Sequence, residues 1–245
     1  MSDKCIFITG ASSDTAMTFL EERGDKYSLI YAHYLHENER FAVLKEKYAD
    51  RFIPLKADLS SQTDIEAMIG RVKERGIFPD HFLHIASDKM TGSKFHKREA
   101  SDFKQGFDIS VSSAVMLLQP FMEQMMKKKY GRVIFMLTSC TIGEPPKYQS
   151  AYVTQKYALL GLMKALAAEY ANKGITVNGI SPEMMDTKFL DGMLKKEVIL
   201  KESAERNPLG RNITPGDVIP VINYLLSDAA EAVTGQNIAI TGGLK

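Results

Sequence analysis

The sequence predicts a doubly wound α/β domain on a parallel sheet, and three observations carry that expectation. Short apolar runs alternate with longer helical patterns along the whole of the 245 residues, as parallel strands joined by helical crossovers require. A small-residue turn, Thr9-Gly10-Ala11-Ser12-Ser13, joins the first apolar run to the first helical pattern. A later run, Val133-Ile134-Phe135-Met136-Leu137, reads as a buried strand with a hydroxyl, Ser139, just beyond its end. Open α/β sheets bind their ligands beyond the carboxyl ends of the strands. No linker interrupts the alternation, so one domain over residues 1–245 is expected.

Cys5-Ile6-Phe7-Ile8 is the first strand, and Met17, Phe19 and Leu20 open the first helix. Strand, small-residue turn and helix form the order a dinucleotide site needs, because free N–H groups and the helix dipole attract a pyrophosphate. Gly10, Ser12, Ser13 and Thr15 are therefore cofactor-binding candidates, and Asp14 is expected to cap the helix. Ser28-Leu29-Ile30-Tyr31-Ala32-His33 is the second strand, and the segment 37–48 is a charged amphipathic helix carrying Phe41, Val43 and Leu44. Phe52-Ile53-Pro54-Leu55 is the third strand; Asp58 or Ser60, after it, can cap the next helix, over 64–75. The strand ending in His81-Phe82-Leu83-His84 leads to Ile85-Ala86-Ser87. His81 and His84 lack a third ligand at zinc spacing, which favours structural roles for both.

A long helix is expected over about 101–128, striped with Val111, Val115, Leu118 and Met122. Lys127-Lys128-Lys129 at its end complements the helix dipole on a solvated face. Cys140 to Lys147 reads as a proline-stiffened loop forming one lip of a cleft, with Cys140 a small packed residue. The helix over about 151–171 is apolar on more than one side, so other elements must cover both flanks. Ile175-Thr176-Val177-Asn178-Gly179-Ile180 is a further strand, followed by Ser181-Pro182-Glu183-Met184-Met185-Asp186-Thr187. Residues 188–211 show no strand pattern; a helix around 217–226 and a strand near Ile238 complete the chain.

Composition narrows the functional classes. Thirty-one basic and 30 acidic residues give a formal charge of +1, without the field that selects nucleic acid or an anionic membrane. Two cysteines argue against a disulfide framework and suit a reducing cytoplasm. The start Met1-Ser2-Asp3-Lys4 shows no leader pattern, and no run approaches the roughly 20 apolar residues of a membrane span.

The chemistry concentrates in Tyr152-Val153-Thr154-Gln155-Lys156. At i and i+4 the phenol and the ammonium share a helix face. A Lys beside a Tyr favours the phenolate and draws the phenol toward the range of a general acid or base. With Ser139 upstream, the chain resembles the short-chain dehydrogenase/reductase family, nearest to its single-domain ketoacyl-reductase-like type, from Thr9-Gly10 to Thr241-Gly242-Gly243. That resemblance implies a Rossmann fold with a seven-stranded parallel sheet in three αβα layers. It also implies hydride transfer between a nicotinamide and a small-molecule carbonyl or secondary alcohol. Ser139, Tyr152, Lys156 and, in place of an Asn, Ser110 would be the catalytic set, with Lys156 also meeting ribose hydroxyls. Asp58 with Leu59 would lie at the adenine, Ala86 and Ser87 at the ribose, and Pro182 and Thr187 at the nicotinamide carboxamide. The segment 188–211 would select substrate, and a homotetramer would pack through the helices over 101–128 and 151–171. No metal is implied.

The departures from the family pattern are Asp14 and Ala16 for two glycines, His84-Ile85 for an Asn pair, Ser110 for Asn and Glu183 for Gly. They leave a second reading open: a cofactor-binding regulatory or structural protein with little turnover. On cofactor choice, Ile30 to His36 contains no acid to hold a ribose 2′-OH. His33, His36 and Arg40, with Ser12 or Ser13, stand ready for a 2′-phosphate. NADP(H) is expected over NAD(H).

Overall fold

The computed structural model describes residues 4–244; Met1–Asp3, cited above against a leader, and Lys245 lie outside the described residues. Seven strands form one sheet in the order β3-β2-β1-β4-β5-β6-β7. They are β1 Cys5–Thr9, β2 Leu29–Tyr34, β3 Phe52–Lys56, β4 His81–His84, β5 Gly131–Met136, β6 Ile175–Pro182 and β7 Asn237–Ile240, and every pairing is parallel. Pro54 can sit in β3 because that strand is an edge, where a missing N–H leaves no ladder bond unmade.

Alternation along the strands feeds two apolar layers. Phe7, Tyr31 and Phe82 face one way, into a core with α3 Gln62–Arg75, α5 Ser113–Lys128 and α6 Ser150–Tyr170. Ile6, Ile8 and Ala32 face the other way, toward α1 Asp14–Arg23, α2 Glu39–Tyr48 and, after α7 Lys196–Arg206 in the chain, α8 Pro215–Leu226. The result is the three-layer Rossmann arrangement, and the strand order reverses between β1 and β4. Ligands of such sheets bind in the crevice at that reversal. Among the described residues no helix is long and apolar enough to cross a membrane.

Three local expectations are corrected. Ser13, not Asp14, caps α1, its hydroxyl accepting from the Ala16 amide at 3.4 Å. Neither Asp58 nor Ser60 caps α3; Ser61 does, accepting from the Asp64 amide, while Asp58 holds Ser60 in a local turn. The single helix expected over 101–128 is α4 Ala100–Phe107 and α5, joined by a π-helical turn over Asp108–Ser112.

That turn has a visible partner. The buried His84 ring bonds Thr9 Oγ1 through Nδ1 at 2.8 Å and the Ser110 carbonyl through Nε2 at 2.8 Å. Because Nε2 must donate to a carbonyl, Nδ1 accepts from the Thr9 hydroxyl. Burial lowers the His84 pKa to about 3, so the ring is neutral and braces β1, β4 and the π turn. His81 bonds the Tyr27 and Tyr130 hydroxyls in the same bracing manner. Among the described residues no group of His, Cys, Asp or Glu is arranged to hold a metal ion.

Candidate active site

A cleft of about 1400 Å³ runs along the carboxyl edge of the sheet. Pockets for a single small ligand are about 300–1,000 Å³, so there is room here for a dinucleotide and a substrate together. Its walls gather nearly every expected site residue. Gly10, Ser12, Ser13 and Thr15 come from the turn after β1, Asp58 and Leu59 from beyond β3, and Ala86 and Ser87 from beyond β4. Ser139 follows β5, Tyr152 and Lys156 rise from α6, and Pro182 and Thr187 flank the turn after β6.

Ser110 is the exception. It is fully buried away from the cleft, its hydroxyl donates to Gln155 Oε1 at 2.9 Å, and its carbonyl is held by His84. Gln155 lies on α6 between Tyr152 and Lys156, so Ser110 contacts the frame that positions those two side chains.

The turn after β1 fits a pyrophosphate. Gly10 has φ +68°, and a Cβ there would come within 3.1 Å of the Ala86 amide nitrogen. The first-turn N–H groups of α1 point into the space this leaves, as at any helix N-terminus. Ser87 Oγ is buried without a protein partner on the same wall, a hydroxyl that a ribose could satisfy. Asp14 is turned aside: its carboxylate accepts from the Lys188 amide at 2.8 Å and stands 4.0 Å from Arg40. These residues fit a nicotinamide dinucleotide.

At the reacting end, burial dominates the electrostatics. Lys156 is almost wholly buried, donates to the Met136 carbonyl at 2.8 Å, and has its pKa lowered by burial to about 8. Burial raises the Tyr152 phenol above its ordinary value, and a hydrogen bond with the Thr138 side chain pulls it back in part. Lys156 Nζ lies 5.7 Å from the centroid of the Tyr152 ring. The Lys156 ammonium is thus directed at a backbone carbonyl rather than at the phenol oxygen.

Beside Ser139 stands a second hydroxyl, Thr138, which motif spacing passed over. Thr138 is buried, lies two positions past β5, and bonds the Cys140 amide as the cap of a short turn over Ser139–Thr141. The signal was present in the sequence as a hydroxyl residue immediately before Ser139. Two more residues close this end: Phe189 packs on the Tyr152 ring at 6.0 Å between centroids, and the Tyr148 carbonyl accepts from the Ser93 amide at 3.0 Å. The second contact joins the loop before α6 to the loop after β4.

The cationic groups expected near a 2′-phosphate are mostly engaged. His33 is buried, accepts from the Gly10 amide and donates to the Ala57 carbonyl, and burial lowers its pKa to about 4. Arg40 is held by Glu21 and Thr18. His36 remains exposed on the cleft wall.

A crevice at the strand-order reversal, with a Tyr and a Lys on one helix face beneath a glycine turn, is the site of a nicotinamide-dependent oxidoreductase. A family model described as Enoyl-(Acyl carrier protein) reductase matches residues 12–245, and the chain belongs to this family, of the short-chain dehydrogenase/reductase type. It is 25% identical over 244 residues to the 3-oxoacyl-[acyl-carrier-protein] reductase FabG of Rickettsia typhi, covering 98% of this chain and 96% of the relative. It is 28% identical over 255 residues to the oxidoreductase UcpA of Salmonella typhimurium, covering 99% and 95%. The fold matches a Brucella melitensis 3-oxoacyl-[acyl-carrier protein] reductase with bound NAD at TM-score 0.86 and 20% identity, over 99% of this chain and 91% of that one.

Proposed function

We propose that this oxidoreductase reduces the ketone of a 3-oxoacyl thioester or a chemically similar small carbonyl compound, reversibly, with Tyr152 as the proton donor. The observation that carries this reading is the Tyr152 phenol on the cleft wall at the sheet's carboxyl edge, with Lys156 one turn along α6 and Thr138 and Ser139 at the turn after β5. A bound nicotinamide supplies the hydride. Tyr152 gives its proton to the developing alkoxide, and the Thr138 hydroxyl, with Ser139 beside it, steadies the same oxygen. Lys156, still mostly protonated at neutral pH, places positive charge where ribose hydroxyls and the phenol meet. Ser110 acts through Gln155 as a positioning residue. Similarity to 3-oxoacyl-[acyl-carrier-protein] reductases supports the thioester class, as does the apolar wall of Met90, Ile142, Met184 and Phe189.

The chain works as one catalytic unit over 1–245, with 188–211 selecting substrate. Phe189 against Tyr152 supports that assignment. NADP(H) is preferred modestly over NAD(H): no carboxylate ends β2, and His36 with Ser12 offers donors, while His33 and Arg40 are otherwise occupied. A cytoplasmic homotetramer is consistent with the exposed Phe107 and Tyr157 on the helices expected to pack between subunits. Measuring kcat/KM with NADPH and NADH on an acetoacetyl thioester tests the reading; activity with neither cofactor sinks the substrate class, and a tenfold NADH advantage, of about 1.4 kcal/mol, sinks the cofactor preference.

A further inference from the structure

Pro182 ends β6 opposite Ile240, and the Glu183 amide donates to the Ile240 carbonyl at 3.0 Å. Glu183 is thus the first residue past the carboxyl edge of the sheet. Since β6 pairs with β5, it stands beside the turn that carries Thr138 and Ser139. Its charge is felt at the Cys140 thiol, whose pKa is raised chiefly by burial and also by Glu183.

The Glu183 side chain is half-buried and lines the cleft. Among the described residues its carboxylate accepts no hydrogen bond and has no cation within ion-pair distance. Three other carboxylates on the cleft wall are engaged, Asp14 by the Lys188 amide, Asp58 by Ser60 and Asp191 by Lys196, and the unpaired Glu144 is exposed on the outer lip, whereas Glu183 is half-buried. A half-buried carboxylate without a protein partner attracts a ligand of opposite charge, and more strongly once that ligand displaces water from the cleft. Pro182 and Thr187, the pair assigned to the nicotinamide end, bracket it in sequence.

We infer that Glu183 makes a site for positive charge at the reacting centre, biasing the cleft toward the oxidised nicotinamide, whose ring is cationic, over the reduced one, whose ring is neutral. This rests on the dinucleotide reading above. A cationic group on a substrate would answer the same carboxylate, so the binding arm of the test contains no substrate.

The test compares dissociation constants of oxidised and reduced dinucleotide for the wild type, Glu183→Gln and Glu183→Gly. Reduced cofactor is followed by its fluorescence and oxidised cofactor by competition. Both variants should weaken the oxidised form by about three- to tenfold and leave the reduced form within about twofold, as one charge removed at several ångströms in a half-wet cleft implies. An unchanged ratio in both folded variants overturns the inference, as does an effect confined to KM for a cationic substrate. If neither form binds the wild type, it is the dinucleotide reading that fails.

Discussion

The Asp14 carboxylate accepts a 2.8 Å hydrogen bond from the Lys188 amide, joining the first turn of α1 to the segment that lays Phe189 on Tyr152. One residue thus combines a negative charge near the pyrophosphate position with a latch on the substrate segment. Asp14→Asn keeps an acceptor and removes the charge, whereas Asp14→Gly removes both. Each should tighten dinucleotide binding by about three- to tenfold by relieving anion repulsion. Only Asp14→Gly should speed trypsin cleavage after Lys188, measured by timed digestion of the cofactor-free protein.

Lys156 makes the catalytic centre a source of instability. Its folded-state pKa of about 8 lies below the 10.5 of an ordinary Lys, so the unfolded chain binds the proton more tightly. The unfavourable contribution is complete below pH 8 and fades as pH rises from 8 toward 10.5. Lys156→Met should therefore raise unfolding stability at pH 7 by about 2 kcal/mol while abolishing turnover. The stability difference from wild type should shrink across that window, as denaturant titrations at several pH values will show.

Ser110→Ala leaves Gln155 Oε1 without its buried donor and should cost about 1–2 kcal/mol of stability. Its effect on kcat should be smaller than that of any change at Tyr152. Ser110→Asn, tolerable on motif grounds alone, meets a site with no exposure and should destabilise by overpacking. Thermal unfolding alongside kcat separates the two effects.

Thr138→Val removes, at nearly constant volume, the buried hydroxyl that caps the turn carrying Ser139 and should lower kcat by about 10²-fold. Ser139→Ala should lower it by a similar factor, because the Ser139 hydroxyl lines the cleft on the same turn after β5. Equal losses would mean that both hydroxyls reach the carbonyl oxygen.

The strand order, the cleft at the carboxyl edge and the Tyr152–Lys156 face were legible because apolar periodicity and i, i+4 spacing are local. What escaped depends on contacts far apart in the chain. Spacing pointed to Ser139, but not to the cap by which Thr138 sets the turn that carries it. The π turn at Asp108–Ser112 breaks a stripe that reads as continuous, and His84 bonds its carbonyl from β4. His33 is titratable in sequence yet buried and neutral in the fold, bridging Gly10 and Ala57.

The central claim is that Tyr152 supplies the proton in carbonyl reduction, and pairing turnover with cofactor binding in Tyr152→Phe tests it most directly. The phenol contributes one proton and little packing, so kcat should fall by about 10²-fold or more while the dissociation constant for reduced dinucleotide stays within about threefold. Wild-type turnover in Tyr152→Phe, with cofactor still bound, would contradict the account.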